Sequence, residues 1–334
     1  MTLARSDAPA VYALHENPDW FSPFRDAFEA EDVPLVEWLL VDGVLDLDEL
    51  PPEGVFWSRI SASSHTRGHV RSKDYTRSVL SWLESHGRRT VNGRGVLELE
   101  MSKVAQLTAL RAAGIDTPRT VAVIGTHNLP EAARSFPARS FPAPFVVKHN
   151  QGGKGISVRR FDSSAELADA VAAGELDEPE DGIALLQELL VAAEPTITRV
   201  EIVDGAFVYA VSADTARGGY QLCPADACAI DPVSGALLMP PGATIAPEPD
   251  QQLFRLREGF DHPLVDRYLD FTRRHGIEVA GIEFIETVDG RAVTYDVNTN
   301  TNYNAAVESV APASGPGAIA RFLGRELAAA YATV

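Results

Sequence analysis

The sequence predicts an α/β chain of three units, and three observations carry that prediction. In the first third, short strand-like runs alternate with amphipathic helices, the pattern of a parallel sheet covered on its faces. Near the middle, a glycine-rich stretch lies between two strand-like runs. In the last third, two Asp-Gly pairs each separate apolar alternating segments, which is a strong hairpin signal.

Residues 11–14 read as the first strand. Ser22-Pro23 is an N-cap followed by a first-turn proline and opens a helix to about Glu29. Residues 33–38 and 55–57 are further strands. Ser72 is the expected cap of a helix that aligns Tyr75, Val79, Trp82 and Leu83 and stops at Gly87. A second unit begins near Glu98. Ser102 opens a helix with Val104, Leu107 and Leu110 inward, ended by Gly114. Residues 120–124 form a strand, 134–144 a proline-bearing loop, 145–148 a strand, 149–155 the glycine-rich loop and 156–160 a strand. Ser163 and Glu166 are spaced as a capping box for a helix ending at Gly174, and 183–189 is another strand. The last unit holds hairpins over 200–211 and 281–298, turning at Asp204-Gly205 and Asp289-Gly290. Helices cover 261–275 and 318–331, with a long loop over 225–252.

Composition narrows the function. The chain has 334 residues, 45% hydrophobic and 23% charged, enough for two or three packed units. Its formal charge of -18 repels phosphate polymers and anionic lipid, so nucleic acid and membrane surfaces are not expected partners. No apolar run is long enough to span a bilayer. Met1 to Ala10 lacks the apolar region of a secretory signal, and Cys223 and Cys228 make no disulfide framework, so cytoplasmic residence is expected. Homo-oligomer formation is left open.

Two features carry chemistry. Lys148-His149-Asn150-Gln151-Gly152-Gly153-Lys154-Gly155 is not a Walker loop, because a strand rather than a helix follows it. A hairpin flap with glycines at its tip can instead fold over a triphosphate and offer backbone N–H groups, with Lys148 a fixed cation and Lys154 a mobile one. The alternative is a solvated surface hairpin. The second feature is the final hairpin. With a two-residue turn at Asp289-Gly290, Glu283 lies opposite Asp296, and Asn298 shares their face. Opposed like charges about 5 Å apart are destabilising, so a cation is needed. Oxygen-only ligands favour magnesium. The alternatives are neutralisation by a nearby arginine, or two solvated acids on an exposed sheet face.

In order along the chain, these segments resemble the ATP-grasp superfamily, nearest the branch of ribosomal-protein glutamate ligase and glutathione synthetase. Ser102-Lys103-Val104-Ala105-Gln106-Leu107, with Gly114 to Pro118, looks like the first nucleotide lysine, its helix and the following turn. Residues 145–158 look like the second lysine and lid loop, Gln187-Glu188-Leu189-Leu190 like the adenine hinge, and 281–284 with 295–298 like the metal strands. The resemblance covers about residues 90 to 310. It implies an ATP-grasp fold with a Rossmann-like N-terminal domain (1–97), a central lid domain (98–188) and a C-terminal metal-binding domain (189–334). It implies an ATP-dependent carboxylate–amine ligase that forms an acyl phosphate and releases ADP and phosphate, with amino acids or a peptide as substrates. Lys103 and Lys148 then contact ATP, with Gly152, Gly153 and Lys154 over its phosphates. Glu188 and Leu190 bind adenine through backbone groups, with Gln187 and Leu189 beside them, and Glu194 takes the ribose. Glu283, Asp296 and Asn298 hold magnesium, two ions, with manganese as a substitute. Arg199 and Arg217 steady the transferred phosphoryl group.

The sequence departs from the family in placing Glu283 before Asp296, where the usual order is Asp then Glu. Thr299 to Asn304 also replace the usual proline-glycine. Outside the resemblance, Arg59 and Ser61 follow a predicted strand end, where α/β sheets bind ligands. Arg59 is the candidate clamp for a substrate carboxylate, the alternative being a surface ion pair. His65 and His69 have metal-like spacing without a third ligand. Rival readings are an ATP-grasp kinase, a nucleotide-binding scaffold and a ligase that modifies peptide or protein side chains.

Overall fold

The alternation of strands and helices in the first hundred residues resolves into a parallel sheet. The computed structural model describes residues 6–135, 143–153, 155, 157–218 and 253–331. β1 (Ala10–His15), α1 (Ser22–Ala30), β2 (Leu35–Leu39), β3 (Gly54–Ser58), α2 (Ser72–Ser85) and β4 (Arg89–Val91) give the strand order β2-β1-β3-β4, all parallel. Every residue of β1 and β3 is buried, as strands covered on both faces must be. Val11, Ala13, Val55 and Trp57 pack toward α1 and the last helix of the chain, whereas Tyr12, Leu14 and Phe56 pack toward α2.

α3 (Arg94–Glu100) and α4 (Lys103–Ala112) lead to a second sheet. It comprises β5 (Thr120–Ile124), α5 (Leu129–Ser135), β6 (Phe145–His149), β7 (Arg159–Phe161), α6 (Ser164–Ala172) and β8 (Ile183–Glu188). Its order is β5-β8-β6-β7, antiparallel, and Phe145, Val147 and Leu186 pack with Leu129 and Leu167 of the two helices.

The third sheet follows: β9 (Thr196–Val203), β10 (Ala206–Asp214), α7 (Thr215–Gly218), β11 (Phe254–Leu256), α8 (Leu264–His275), β12 (Val279–Glu286), β13 (Ala292–Asn298), α9 (Ala305–Glu308) and α10 (Gly315–Tyr331). Its order is β11-β10-β9-β12-β13, also antiparallel. α8 buries Leu264, Tyr268, Phe271 and Thr272 at helical spacing and stops at Gly276, whose φ is 64°. Asp204 and Gly205 have φ of 52° and 65°, the two left-handed residues of a type I′ hairpin turn. α10 returns to the first sheet, so Ile319, Phe322 and Leu323 complete the core begun by Val11 and Ala13.

Some local expectations are corrected. Ser22 and Ser72 are first helical residues rather than caps, and neither helix has a side-chain cap. Ser102 and Ser163 do cap, accepting from Ala105 N at 3.2 Å and Glu166 N at 3.1 Å. Glu166 reaches back to the amide of Asp162, not to that of Ser163. The strand expected over 156–160 begins at Arg159. β4, α3, α5, α7, β11 and α9 have no counterpart among the elements expected from the sequence. The expected loop 225–252, Cys223 and Cys228 lie outside the described residues.

Candidate active site

The three sheets meet around one cavity of about 690 Å³. Its walls are the loop after β3, the start of α4, the β6–β7 hairpin, the segment after β8, and one face of β9, β12 and β13.

The acidic corner is set by strand register. Glu283 on β12 lies opposite Asp296 on β13, as the sequence predicts, but by a different route. Near the turn, Phe284 faces Thr294 and Glu286 faces Ala292, one residue short of the predicted pairing. The loop is therefore three residues, Val288 to Gly290, closed by Gly290 N to Thr287 O at 2.9 Å with Gly290 at φ 81°. A bulge at Tyr295 then restores the register and places Tyr295 on the cavity wall beside Asp296. Its hydroxyl donates to Glu283 Oε2 at 2.6 Å.

Across β12, Arg199 on β9 sits opposite Glu283, so Arg199, Glu283 and Asp296 form one row over three strands. Arg199 is buried, with its Nε 2.7 Å from Glu201 and a further bond to Thr301. Its Nη1 is 3.9 Å from Glu283. Lys103, the first residue of α4, is ion-paired with Asp296. Burial, and then the Asp296 charge, push the Glu283 carboxyl above its ordinary range. Burial opposes the charge on Lys103, but Asp296 holds its pKa above the ordinary value. Two carboxylates face each other, and Asn298 on the same strand adds an amide oxygen that accepts from Asn300 N at 2.9 Å. This all-oxygen set suits a hard divalent cation. Among the described residues no cluster of three or more His, Cys, Asp or Glu offers a rival.

Lys148 on β6 faces the same space and is 7% exposed. Burial, reinforced by Lys103, lowers its ammonium to about 7. Gly152 and Gly153 line the cavity. A Cβ at Gly153 would touch Ser63 at 3.5 Å, so the loop reaches the first unit. Lys154 lies outside the described residues.

Gln187, Glu188, Leu189 and Leu190 line the far wall. Gln187 donates to Thr120 Oγ1 at 2.8 Å, and Glu188 pairs with Arg291 at 3.2 Å. Glu194 is exposed and does not line the cavity. Ser61 does, with its Oγ 2.8 Å from Ser63 Oγ.

Arg59 does not line it. It is 2% exposed, lies 4.4 Å over the Phe24 ring and 5.3 Å over Trp57, and donates to Asn302 Oδ1 at 3.1 Å. Its place is an aromatic box beneath the 299–302 segment, not a ligand surface. Arg217 is on α7, and its side chain lies outside the described residues. His69 bonds Glu16 at 3.0 Å, while His65 is half-buried with its charge disfavoured first by burial and then by Lys73, so the two make no common site.

The structure adds residues the sequence did not single out. Glu100 is buried and accepts from Thr299 N at 2.7 Å and Thr299 Oγ1 at 2.9 Å, which anchors the strand end after Asn298. Asn302 and Trp20 join the wall near Ser61. The dense Thr/Asn run from Thr299 was the available signal for Asn302; Glu100 and Trp20 had none.

No known protein-family profile matches the chain, and no curated protein does. Solved structures do. The ATP-grasp ligase PsnB complexed with minimal precursor is 17% identical over 95% of this chain and 99% of that one, with a TM-score of 0.62. A RimK domain ATP-grasp protein from Sphaerobacter thermophilus is 17% identical over 94% and 98%, TM-score 0.62. D-cycloserine synthetase DcsG is 17% identical over 95% and 100%, TM-score 0.60. A likeness that spans nearly the whole of each chain, with three sheets closing on one cavity, shows that this chain has the ATP-grasp fold.

Proposed function

We propose that the chain is an ATP- and magnesium-dependent ligase that joins a carboxylate to an amine through an acyl phosphate. The observation that carries this reading is the row Arg199–Glu283–Asp296, with Lys103 and Lys148 facing the same cavity beneath the glycine loop. Phosphoryl transfer needs positioning and charge neutralisation rather than covalent help, and cations opposed to a paired-acid corner supply both. PsnB has been solved with magnesium and ADP, which supports the same ligands here.

Glu283, Asp296 and Asn298 would hold magnesium, which when bound neutralises the terminal phosphates and lowers the barrier to transfer. Lys103 then exchanges its Asp296 partner for phosphate oxygen. Lys148, poised near neutrality by burial, takes up full charge as the triphosphate arrives. Gln187 to Leu190 form the adenine wall. Arg199, held by Glu201 and Thr301, faces the γ-phosphoryl group. The donor carboxylate oxygen attacks the γ-phosphorus, and the bond to the β–γ bridging oxygen breaks to give ADP. The amine nitrogen then attacks the acyl carbon and loses a proton, and phosphate leaves with the C–O electron pair. Gly152 and Gly153 over the site keep water from the acyl phosphate.

The test is release of ADP and phosphate that requires both an acid and an amine, with mass spectrometry of the product. Release of AMP and pyrophosphate, or a stable phosphorylated product with no amine present, would refute it. A second reading places the acceptor on a peptide. It is favoured by the PsnB structure with minimal precursor and by the macrocyclase MdnC solved with precursor peptide MdnA. Turnover with peptides and none with free amino acids would select it.

A further inference from the structure

Asn150 follows β6 at the root of the glycine loop and is 3% exposed. Its backbone N–H donates to Ile183 O at 3.0 Å, and its carbonyl accepts from Lys103 N at 3.3 Å. Its side-chain oxygen accepts from Val104 N at 2.9 Å and Ser102 Oγ at 3.3 Å. Its side-chain nitrogen donates to Asp181 Oδ2 at 2.6 Å. The first turn of a helix has amides without intrahelical partners. In α4, Ser102 satisfies that of Ala105, and Asn150, at the end of β6, satisfies those of Lys103 and Val104. The next residue, Gln151, is bonded to Lys73 on α2. The loop is thus tied at its root to the turn that carries Lys103.

We propose that Asn150 is a positioning residue that latches the end of β6 to the start of α4, so that these contacts fix the origin from which Lys103 is presented to the cavity. Breaking the contacts of Asn150 withdraws two hydrogen-bond acceptors from the first turn of α4 and frees Lys103 from its fixed origin. The contact network stands by itself; its consequence for nucleotide rests on the function proposed above.

The experiment has two arms on the full chain. In the first, amide hydrogen exchange of α4 is compared between wild type and Asn150→Ala without nucleotide. Val104 is expected to exchange at least about tenfold faster in the variant, the effect of losing one buried hydrogen bond. Unchanged Val104 exchange overturns the latch. In the second arm, Mg-ATP affinity is measured by calorimetry in a double-mutant cycle with Lys103→Met. Asn150→Ala is expected to weaken binding about tenfold in the wild-type background and less than about twofold beside Lys103→Met. An equal loss in both backgrounds means that Asn150 does not act through Lys103 and overturns the coupling. The exchange of roles Asn150→Asp with Asp181→Asn keeps the acceptor for α4 and reverses the donor, so it is expected to restore both readouts; failure to do so counts against the latch. Should Asn150→Ala not fold, Asn150→Leu, which is close in volume and offers no acceptor to Val104, provides the same comparison. Wild type that binds no Mg-ATP removes the proposed function, while the exchange arm still decides the latch.

Discussion

Lys148→Met is expected to stabilise the fold and abolish nucleotide binding. The ammonium of Lys148 is buried at 7% exposure beside Lys103, and its pKa falls from 10.5 to about 7. The sign follows from linkage. Below pH 7 the group is charged in both states, so the folded protein carries the whole burden of burying the charge. As pH rises through 7 the folded protein releases the proton while the unfolded chain keeps it, and wild type gains stability until about pH 10.5. Those two pKa values set an upper bound of about 4 kcal/mol at pH 7, falling to about 2 kcal/mol at pH 9. Methionine has similar length, no charge and a flexible apolar chain, so it removes the burden without leaving a large cavity. Relaxation around the charged lysine reduces the observable gain to roughly half those bounds, or a few degrees in Tm. Urea unfolding of both proteins without nucleotide, at pH 7 and 9, measures the difference directly. A Met variant less stable than wild type at pH 7, or a difference that does not shrink between the two pH values, would refute the reasoning. Calorimetry with Mg-ATP on the same samples should show binding by wild type alone.

Asp296→Ala removes one of the two opposed carboxylates together with the partner of Lys103, and should lower substrate-dependent phosphate release by at least about 100-fold. Chelation with EDTA should abolish the wild-type rate, and excess magnesium should restore it. Gly281→Ala places a Cβ against the Arg199 guanidinium, which Glu201 and Thr301 hold in place, so kcat should fall by at least about tenfold; an unchanged kcat would show that Arg199 is not needed where it lies. Arg59→Ala leaves Asn302 Oδ1 and the aromatic box unpartnered, and denaturation should show a loss of about 2–4 kcal/mol while the KM values of the folded fraction stay near wild type.

Much of the architecture was legible because local rules and tertiary demands agree. The first parallel sheet was visible in strand–helix alternation, and α8 in its apolar spacing and terminal Gly276. Caps were legible only where the serine meets an extended backbone, as at Ser102 and Ser163; at Ser22 and Ser72 the preceding residue is already helical, so no side-chain cap forms. Short elements were not legible. β4 has three residues and owes its place to pairing with β3, and α3 begins at Arg94, after Gly93, without a side-chain cap. Arg59 shows the limit of placing a site by strand ends alone. The end of β3 was placed within one residue, yet the Arg59 side chain after it turns into an aromatic box that only the fold assembles from Phe24, Trp57 and the 299–302 segment.

The final hairpin shows how a site can be found through two errors that cancel. A two-residue turn at Asp289-Gly290 puts Glu283 opposite Asp296 by counting alone. The actual loop holds three residues, because Gly290 in the left-handed region follows a tight turn from Thr287. Left uncorrected, that extra residue would move Asp296 to the other face, since side chains alternate with period two. The bulge at Tyr295 absorbs it. Nothing in the local sequence marks this bulge; its basis is tertiary. Tyr295 gains a hydrogen bond to Glu283, and Asp296 gains Lys103 from α4. The residue that repairs the register thereby becomes part of the wall. Its hydroxyl holds Glu283 by a hydrogen bond, so the extra residue and the acidic corner are one structural solution: without the bulge the carboxylates would not meet, and without Glu283 the bulged side chain would lose its partner.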